Sequence, residues 1–357
     1  MSGYKEMEKA ISKDLLKRLP KQRATQRRKL GELVAGMLVC QSPNLMELSN
    51  VLDRPTESAE VRYNYVERFL KNPLVKPLEI MASYGKDILE RLCAHQEHPV
   101  LMIDQTKAND SPLEILVVSV RVRKRAMPLV WKVKNTSGPI GFAEQKDLLE
   151  SVIKWLPNGT VPMLAGDRFY GTTDLVNWCQ EKGWKYRLRL KGNLCCFQDI
   201  GEDKSLETLH REQRVTGQKL RFRAGMITHV GVLHEPGHKE PWYIAMDSEP
   251  NKWKTLDYGM RWGIESMFSD FKSRGFSLTD TRIKFADRLE RLLLILSVAL
   301  HWAISVGLFR EKHNKDHAEK RDPKKPTDHL SRFLSEAYAL CDDAFSTICQ
   351  CQLYGCV

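Results

Sequence analysis

Between residues 99 and 190 the chain alternates short apolar runs with amphipathic segments, and this alternation constrains the fold more than any other feature. Three runs rich in β-branched and other apolar residues come first, at 99–104, 113–122 and 128–133. The predicted order then continues with a helix at 145–155, a strand at 160–167, a helix at 172–182 and a strand at 184–190. Strands interspersed with helices in this way are typical of an α/β domain built around one sheet.

Two of the apolar runs end in an aspartate. Asp104 closes the run PVLMID, and Asp167 closes the run TVPMLAGD. α/β folds place reactive groups at the carboxyl ends of their strands. A carboxylate there is costly to keep ionised unless a cation or hydrogen bonds stabilise it. Each aspartate alone is equally well explained as the cap of a turn or helix.

A third acid lies in the segment YGMRWGIESMFSDFK, residues 258–272. On a single helix, Tyr258, Arg261, Glu265 and Lys272 fall within an arc of roughly 60°. The apolar residues fall on a separate arc: Met260, Ile264, Met267, Phe268 and Phe271. The pattern predicts a half-buried helix with a charged stripe. The alternative is a solvated face whose Arg261–Glu265 pair contributes only about 0.2–0.5 kcal/mol.

Together, the three acids indicate metal chemistry. Carboxylates of Asp104, Asp167 and Glu265 converging from different elements would make a hard-oxygen site suited to Mg²⁺ or Mn²⁺. Two such ions, about 3.5–4 Å apart, can activate a water or a 3′-hydroxyl in phosphodiester chemistry.

The charge of the chain favours a polyanionic partner. The net charge is +11, and residues 11–30 alone contain eight Lys/Arg and one Asp. A basic arm touching phosphates is one interpretation of this stretch, and a solubilising tail is the other. The nine cysteines lack the paired spacing of zinc sites, and Met1 leads directly into a charged stretch. We therefore expect free thiols, no targeting segment and a cytoplasmic protein.

Residues 1–95 have a helical pattern. It includes an apolar helical stretch at 29–39, a short helix at 44–52 begun by Ser42-Pro43, and a helix at 57–71 capped by Thr56. The last two predict a helix-turn-helix-like unit. Four polar residues of its final helix would face DNA: Arg62, Asn64, Arg68 and Lys71. A plain helical bundle is the alternative.

The remaining segments are a β-rich insertion, an apolar helix and a tail. Short β-like runs occupy residues 191–250, and residues 292–309 carry no fixed charge. That length is near the lower limit for a membrane span. We favour a buried core helix and no membrane, because Ser297 and His301 interrupt the run and no second such run exists. Residues 311–357 are predicted as a charged linker and a short helical tail.

These motifs resemble those of DDE transposases of the bacterial insertion-sequence class, whose hallmark is Y-x2-R-x3-E-x6-K. Residues 258–272 match that hallmark at all four positions. IDQT (103–106) and LAGDRFYG (164–171) are similar to the two acidic motifs of the family, and LERLLLILSVALHW (289–302) resembles the apolar helix that follows them. The resemblance covers roughly residues 97–310.

The resemblance implies a ribonuclease-H-like catalytic domain at 96–310 with a β-rich insertion at about 191–250. A helical DNA-binding region at 1–95 would precede it, and the tail at 311–357 would follow it. Asp104, Asp167 and Glu265 would be the catalytic acids that bind two Mg²⁺ ions, with Mn²⁺ as a substitute. Tyr258, Arg261 and Lys272 would contact DNA phosphates near the cleaved end.

Family members that cut through a DNA hairpin stack a flipped base on a tryptophan. By resemblance, EPWYIAMDSEP (240–250) makes Trp242 the candidate, with Trp262 and Arg168 as further DNA contacts. An ordinary core tryptophan is the alternative for Trp242. The implied activity is cut-and-paste transposition, in which a homodimer binds terminal inverted repeats and joins them to target DNA. An inactive DNA-binding descendant and a structure-selective nuclease are the competing functions.

Overall fold

The structure is a computed structural model that describes residues 2–55, 57–94, 98–198, 201–212, 219–234 and 240–313. Contacts divide the chain into two compact units. The first comprises the described parts of Met1–Tyr84, Lys107–Leu113 and Phe268–Val357, and the second those of Gly85–Thr106 and Glu114–Met267.

Five helices form the N-terminal region, as its pattern predicts: α1 (Ser2–Arg18), α2 (Ala24–Cys40), α3 (Leu45–Asn50), α4 (Ala59–Lys71) and α5 (Pro77–Cys93). Two predicted helix starts are wrong. Asn44 caps α3, because its side chain accepts a hydrogen bond from the Met46 N–H at 3.0 Å. Ser58 caps α4, because its Oγ accepts one from the Val61 N–H at 3.3 Å. The predicted cap Thr56 lies outside the described residues.

The predicted α/β order is present in the following segment. Its elements are β1 (Val100–Lys107), β2 (Leu113–Val122), β3 (Arg125–Asn135), α6 (Phe142–Ile153), β4 (Met163–Gly166), α7 (Thr173–Glu181) and β5 (Lys185–Leu190). β4 lies between β1 and β5 and pairs in parallel with both. The apolar strands form the core of the second unit, since nearly every residue of β2 and all of β4 are buried.

The β-rich segment that follows continues the same sheet. Its elements are β6 (Cys195–Cys196), β7 (Lys204–Ser205), α8 (Leu206–Arg211), β8 (Lys219–Arg221), β9 (Ile227–Leu233) and β10 (Trp242–Met246). β10 pairs antiparallel with β5, which gives an eight-stranded mixed sheet in the order β3-β2-β1-β4-β5-β10-β9-β8. Among the described residues only the small β6–β7 pair forms a separate sheet.

The segment 258–272 is not the single helix that its spacing predicts. α9 (Lys252–Leu256) leads into a 3-10 helix, Asp257–Arg261, and α10 begins only after it (Trp262–Lys272). A 3-10 helix has three residues per turn, so Tyr258 is rotated away from the arc expected for a continuous α-helix.

The apolar run lies in α11 (Ala286–His313), which a 3-10 turn at Leu278–Asp280 precedes. Residues Ala286–Leu308 are long and apolar enough to cross a membrane, but 83% of the most apolar stretch is buried inside the protein. Within the first unit α11 packs on α2 and α4. The buried Arg291 side chain donates hydrogen bonds to the Leu70 and Val75 carbonyls, at 2.9 and 3.1 Å. The helix therefore has the burial predicted for a core helix.

Candidate active site

Asp104 and Asp167 lie side by side at the same edge of the sheet. β1 and β4 run in parallel with Ile103 opposite Gly166, so the next positions hold Asp104, inside β1, and Asp167, directly after β4. Neighbouring strands are about 4.8 Å apart. The structure therefore brings together the two acids that end separate apolar runs in the sequence.

Both aspartates also accept hydrogen bonds from the backbone. Asp104 Oδ1 accepts one from the Gln105 N–H at 2.8 Å, and Asp167 Oδ1 accepts one from the Phe169 N–H at 2.8 Å. The turn-capping role that the sequence left open is therefore present for Asp167. Capping and chemistry are compatible, because a carboxylate has several lone-pair sites.

Ionisation of the Asp104 carboxyl is less favourable than that of an exposed aspartate. Burial, and next the nearby Asp167 carboxylate, raise its pKa from 3.8 to about 6. The Gln105 N–H and the Arg261 guanidinium act in the opposite direction, and Glu265 adds a smaller repulsion. The other two predicted acids, Asp167 and Glu265, thus both raise the pKa of the Asp104 carboxyl.

Arg261 places a cation between the first acid and the third. Its Nη1 lies 3.2 Å from Asp104 Oδ2, and its Nη2 pairs with Glu265 Oε1. Burial disfavours the charge on Arg261, but Tyr258, Glu265 and Asp104 outweigh it and raise the pKa of the guanidinium. In the described part of the chain, no three His, Cys, Asp or Glu side chains are grouped so that they could hold a metal ion.

Divalent cations fit the chemistry of these donors, although Glu265 is joined to Asp104 through Arg261 in this structure. The three carboxylates supply the hard oxygens that Mg²⁺ and Mn²⁺ prefer. The raised pKa of Asp104 reflects burial and repulsion, and a divalent cation would relieve that repulsion.

Three of the predicted DNA contacts are buried, and Arg261 is one of them at 8% exposure. Tyr258 is 1% exposed, and Trp242 is 8% exposed. The Trp242 ring packs edge-on against Tyr258 at 5.7 Å and against Trp262 at 6.2 Å. The expectation of an accessible charged stripe is therefore corrected at Tyr258, because its phenol ring belongs to an apolar cluster with Trp242, Ile244 and Met246.

The other predicted contacts around the site are more accessible. Trp262 is 44% exposed and is the accessible ring of the tryptophan pair. Arg168 is exposed, and Lys272 is half-buried at the last position of α10. Stacking of a base on Trp242 would require its neighbours to move, whereas Trp262 already has solvent-facing surface.

A buried arginine anchors the segment that carries Tyr258 and Arg261. Arg187 on β5 donates to the Lys254 carbonyl at 2.9 Å, and its side chain is only 4% exposed. It also pairs with Asp247 and, at 3.5 Å, with Asp257, the first residue of the 3-10 helix. Beyond the other end of the 3-10 helix, in α10, a Cβ on Gly263 would lie 3.2 Å from the Arg125 carbonyl oxygen, so glycine permits close packing on β3.

Three residues near the acids were not singled out from the sequence. Gln105 donates to Glu114 Oε2 at 2.9 Å and accepts from the Ile140 N–H at 2.8 Å. It therefore connects β1 to β2 and to the loop between β3 and α6. Tyr170 is buried close enough to Asp104 and Asp167 that burial and then these two acids raise its pKa. Glu114 is a charged residue within the apolar run of β2, and this interruption is the sequence signal that could have marked it as a residue of interest.

Arg62, Asn64 and Arg68 all lie on α4, as predicted. Arg68 is exposed, whereas Arg62 donates to the Glu57 carbonyl at 2.5 Å. Part of the basic stretch 11–30 contacts other residues of the protein. The Arg18 side chain pairs with Asp14 at 2.8 Å and lies over the Tyr84 ring.

One family model matches part of the chain. Residues 142–302 match the family model described as the transposase DDE domain. That range contains Asp167 and the whole of 258–272, while Asp104 precedes it. A search of curated proteins gives no match.

Among solved structures, the chain is similar to that of Marinitoga piezophila Argonaute in complex with 5′ OH guide RNA and target DNA. The identity is 13% and the TM-score 0.22, and the match covers 64% of this chain and 35% of the Argonaute chain. The chain thus spans about a third of that protein's length, and the TM-score is too low to indicate a shared fold. The similarity to the transposase DDE domain therefore concerns residues 142–302, which are less than half of the chain.

Proposed function

We propose that the chain is a cut-and-paste DNA transposase. It binds the terminal inverted repeats of its element, pairs them as a homodimer, cleaves the ends and joins their 3′-hydroxyls to target DNA in the cytoplasm of a prokaryotic cell. One observation carries the proposal: Asp104 in β1 lies beside Asp167, which directly follows the parallel strand β4, and Arg261 of the segment 258–272 reaches Asp104. The mixed α/β sheet is consistent with a ribonuclease-H-like core.

In this proposal Asp104, Asp167 and Glu265 hold two Mg²⁺ ions, for which Mn²⁺ can substitute. Such ions, when bound, polarise the phosphodiester and lower the pKa of the attacking hydroxyl. The protein supplies the placement of the acids. Asp104 and Asp167 are fixed by the sheet register, and Glu265 lies in the first turn of α10.

Arg261 has a second role in the proposed reaction. Without ions it pairs with Asp104 and Glu265. With Asp104 and Glu265 holding ions instead, the Arg261 guanidinium would be able to bind a DNA phosphate, to which Arg binds through two parallel hydrogen bonds. Arg168 and Lys272 add further phosphate contacts. Tyr258 supports Arg261, whose guanidinium carbon lies 5.7 Å from the centre of the phenol ring.

Recognition of the repeat ends is assigned to the N-terminal helices. Exposed cations on α1, α2, α4 and the loop between the first two support this role: Lys13, Lys17, Lys21, Arg23, Arg28 and Arg68. Binding should weaken steeply with salt, by a slope of about 0.9 in log K per phosphate contact.

The test is cleavage of a labelled DNA end by the purified protein with Mg²⁺ or Mn²⁺. Asp104→Asn, Asp167→Asn and Glu265→Ala should abolish nicking and joining while end binding persists. Asp174→Asn is the matched control, because this aspartate is exposed at the start of α7 and lies in the same unit. Equal loss in Asp174→Asn, or no cleavage by the wild-type protein, would refute the proposal.

A non-catalytic DNA-binding descendant is the second candidate, and the Arg261 bridge between Asp104 and Glu265 favours it. The two functions differ in their response to Mn²⁺. A transposase should bind Mn²⁺ at the acids and lose that binding in Asp167→Asn, as measured by electron paramagnetic resonance. Specific end binding with no Mn²⁺ uptake would support the descendant.

A further inference from the structure

A basic cleft of about 690 Å³ opens in the second unit, beside the turn that follows Asp167. Its size is in the range of about 300–1,000 Å³ that is typical of ligand sites. Four cationic side chains and two carboxylates line it: Arg168, Arg189, Lys191, Arg211, Glu207 and Glu240. Arg211 pairs with Glu207. The remaining cations give the cleft a positive character that suits a polyanion.

Phe169 is the unusual residue of this cleft. It is 49% exposed, although a large apolar side chain in the loop after a strand is normally expected to pack inward. Two cations approach its ring: the Arg168 guanidinium carbon lies 6.0 Å and Lys191 Nζ 5.9 Å from the ring centre. The face of the ring and the cations are therefore available in one place.

The turn that presents Phe169 is tightly held. Asp167 Oδ1 accepts a hydrogen bond from the Phe169 N–H, and the Asp167 carbonyl accepts one from the Tyr170 N–H at 3.0 Å. A Cβ at Gly171 would lie 2.0 Å from the Arg189 carbonyl oxygen, so only glycine lets the turn pack on β5. Tyr170 is buried at 2% exposure. Phe169 is thus displayed by a fixed turn.

The cleft also adjoins the apolar cluster that Trp242 forms with Tyr258. The Arg189 guanidinium carbon lies 5.3 Å from the centre of the Trp242 ring, which packs on Tyr258. A strand held at Asp167 could therefore extend along Phe169 toward Arg189 and Lys191.

We propose that this cleft binds single-stranded DNA, with Phe169 stacking on an unpaired base while Arg168 and Lys191 contact the adjoining phosphates. An aromatic ring bordered by cations is the combination used for single strands, because every base has a π-face and every linkage a charge. In a duplex the base faces are covered by their neighbours. The inference rests on the proposed function, since it assigns the strand next to the cleaved phosphodiester to this cleft.

The experiment measures binding of oligodeoxythymidylate to the full chain by fluorescence anisotropy, with an abasic oligomer of equal length as a second probe. Phe169→Ala should weaken oligodeoxythymidylate binding about tenfold. It should leave binding of the abasic oligomer unchanged. Phe169→Leu should lose as much, and Phe169→Trp should retain binding, because stacking needs an aromatic face.

Phe197→Ala is the matched control. Phe197 is also exposed, at 44%, and the Arg221 guanidinium carbon lies 5.7 Å from its ring centre, but it lines a different cavity of the same unit. Its substitution should change neither affinity. Equal losses in Phe169→Ala and Phe197→Ala would overturn the proposal, as would full binding by Phe169→Leu. Loss of self-association instead of DNA binding in Phe169→Ala would show a protein contact and would also overturn it.

The failure of this inference is distinguishable from failure of the proposed function. Metal-dependent nicking of the labelled end reports on the acids, whereas oligodeoxythymidylate binding in EDTA reports on the cleft. Wild-type protein that nicks the end while Phe169→Ala binds the single strand normally would overturn only the cleft. Absence of nicking in the wild type, with the expected losses at Phe169, would overturn only the transposase activity.

Discussion

Arg261 Nη1 lies 3.2 Å from Asp104 Oδ2, although the two residues are 157 positions apart in the sequence. This contact joins the segment that follows β10 to β1. It also neutralises part of a carboxyl group that burial and Asp167 make costly to ionise. The pair therefore holds the candidate site together when no ion is bound.

The Arg261–Asp104 pair should be energetically coupled. In metal-free buffer, Arg261→Ala should lower the free energy of unfolding by about 1–3 kcal/mol, because it leaves a largely buried carboxylate without its cation. Asp104→Asn should stabilise the protein or leave it unchanged, since it removes the charge that burial disfavours. In the double variant, the cost of Arg261→Ala should shrink. Urea unfolding of the four proteins gives the coupling energy, and strictly additive effects would contradict a direct interaction.

Arg187 should be essential for the folding of the segment that carries Tyr258 and Arg261. Arg187→Met should cost about 3–5 kcal/mol, because it leaves Asp247 without its ion-pair partner at a site where the arginine is 4% exposed. Arg223→Met is the matched control. Arg223 pairs with Asp203 at 3.4 Å, but its side chain is 75% exposed, so the change should stay within about 0.5 kcal/mol. Similar costs in the two variants, measured by thermal unfolding, would contradict the anchoring role.

The two tryptophans of the site should separate into a structural and a DNA-contacting residue. Trp242→Ala should lower the free energy of unfolding by about 3–5 kcal/mol, because the ring is buried against Tyr258. Trp262→Ala should cost about 1 kcal/mol or less and should impair second-strand cleavage more than the first nick. Normal cleavage by Trp262→Ala would exclude a stacking role for that residue.

The Cys40 thiol should be slow to alkylate near neutral pH. Burial raises its pKa from 9.0 to about 11, so at pH 8 it remains a thiol, which is not the reactive form. Labelling by iodoacetamide should accelerate as the pH approaches 11, as followed by peptide mass spectrometry. The folded state disfavours the thiolate relative to the unfolded chain. The stability that the neutral Cys40 thiol contributes is therefore complete below about pH 9 and is lost as the pH rises toward about 11. Rapid labelling at pH 8 in folded protein, equal to that in urea, would contradict the burial.

Much of the architecture was predictable from the sequence. The strand and helix order from 99 to 190 follows from apolar periodicity, and the structure reproduces it with shifts of a few residues. Helix starts were less predictable, because several polar residues compete for each cap. At α4, both Thr56 and Ser58 have suitable side chains, and the structure assigns the cap to Ser58.

Accessibility within the site could not be predicted in the same way. The spacing of Tyr258 and Arg261 predicts one face of one helix, but the 3-10 turn and the packing of Trp242 bury the phenol. Conversely, the exposure of the large apolar side chain of Phe169, at 49%, is a result of the tertiary structure.

The sequence by itself determined which elements form and placed the acids Asp104, Asp167 and Glu265 on them or directly beside them, because periodicity and capping depend on near neighbours in the chain. Only the tertiary structure decided that β10 would extend the sheet beside β5, that Arg261 would lie between two acids, and that Phe169 would border a basic cleft. These features depend on contacts between distant segments, where strand register, burial and charge are settled together by the packed fold rather than by any local pattern.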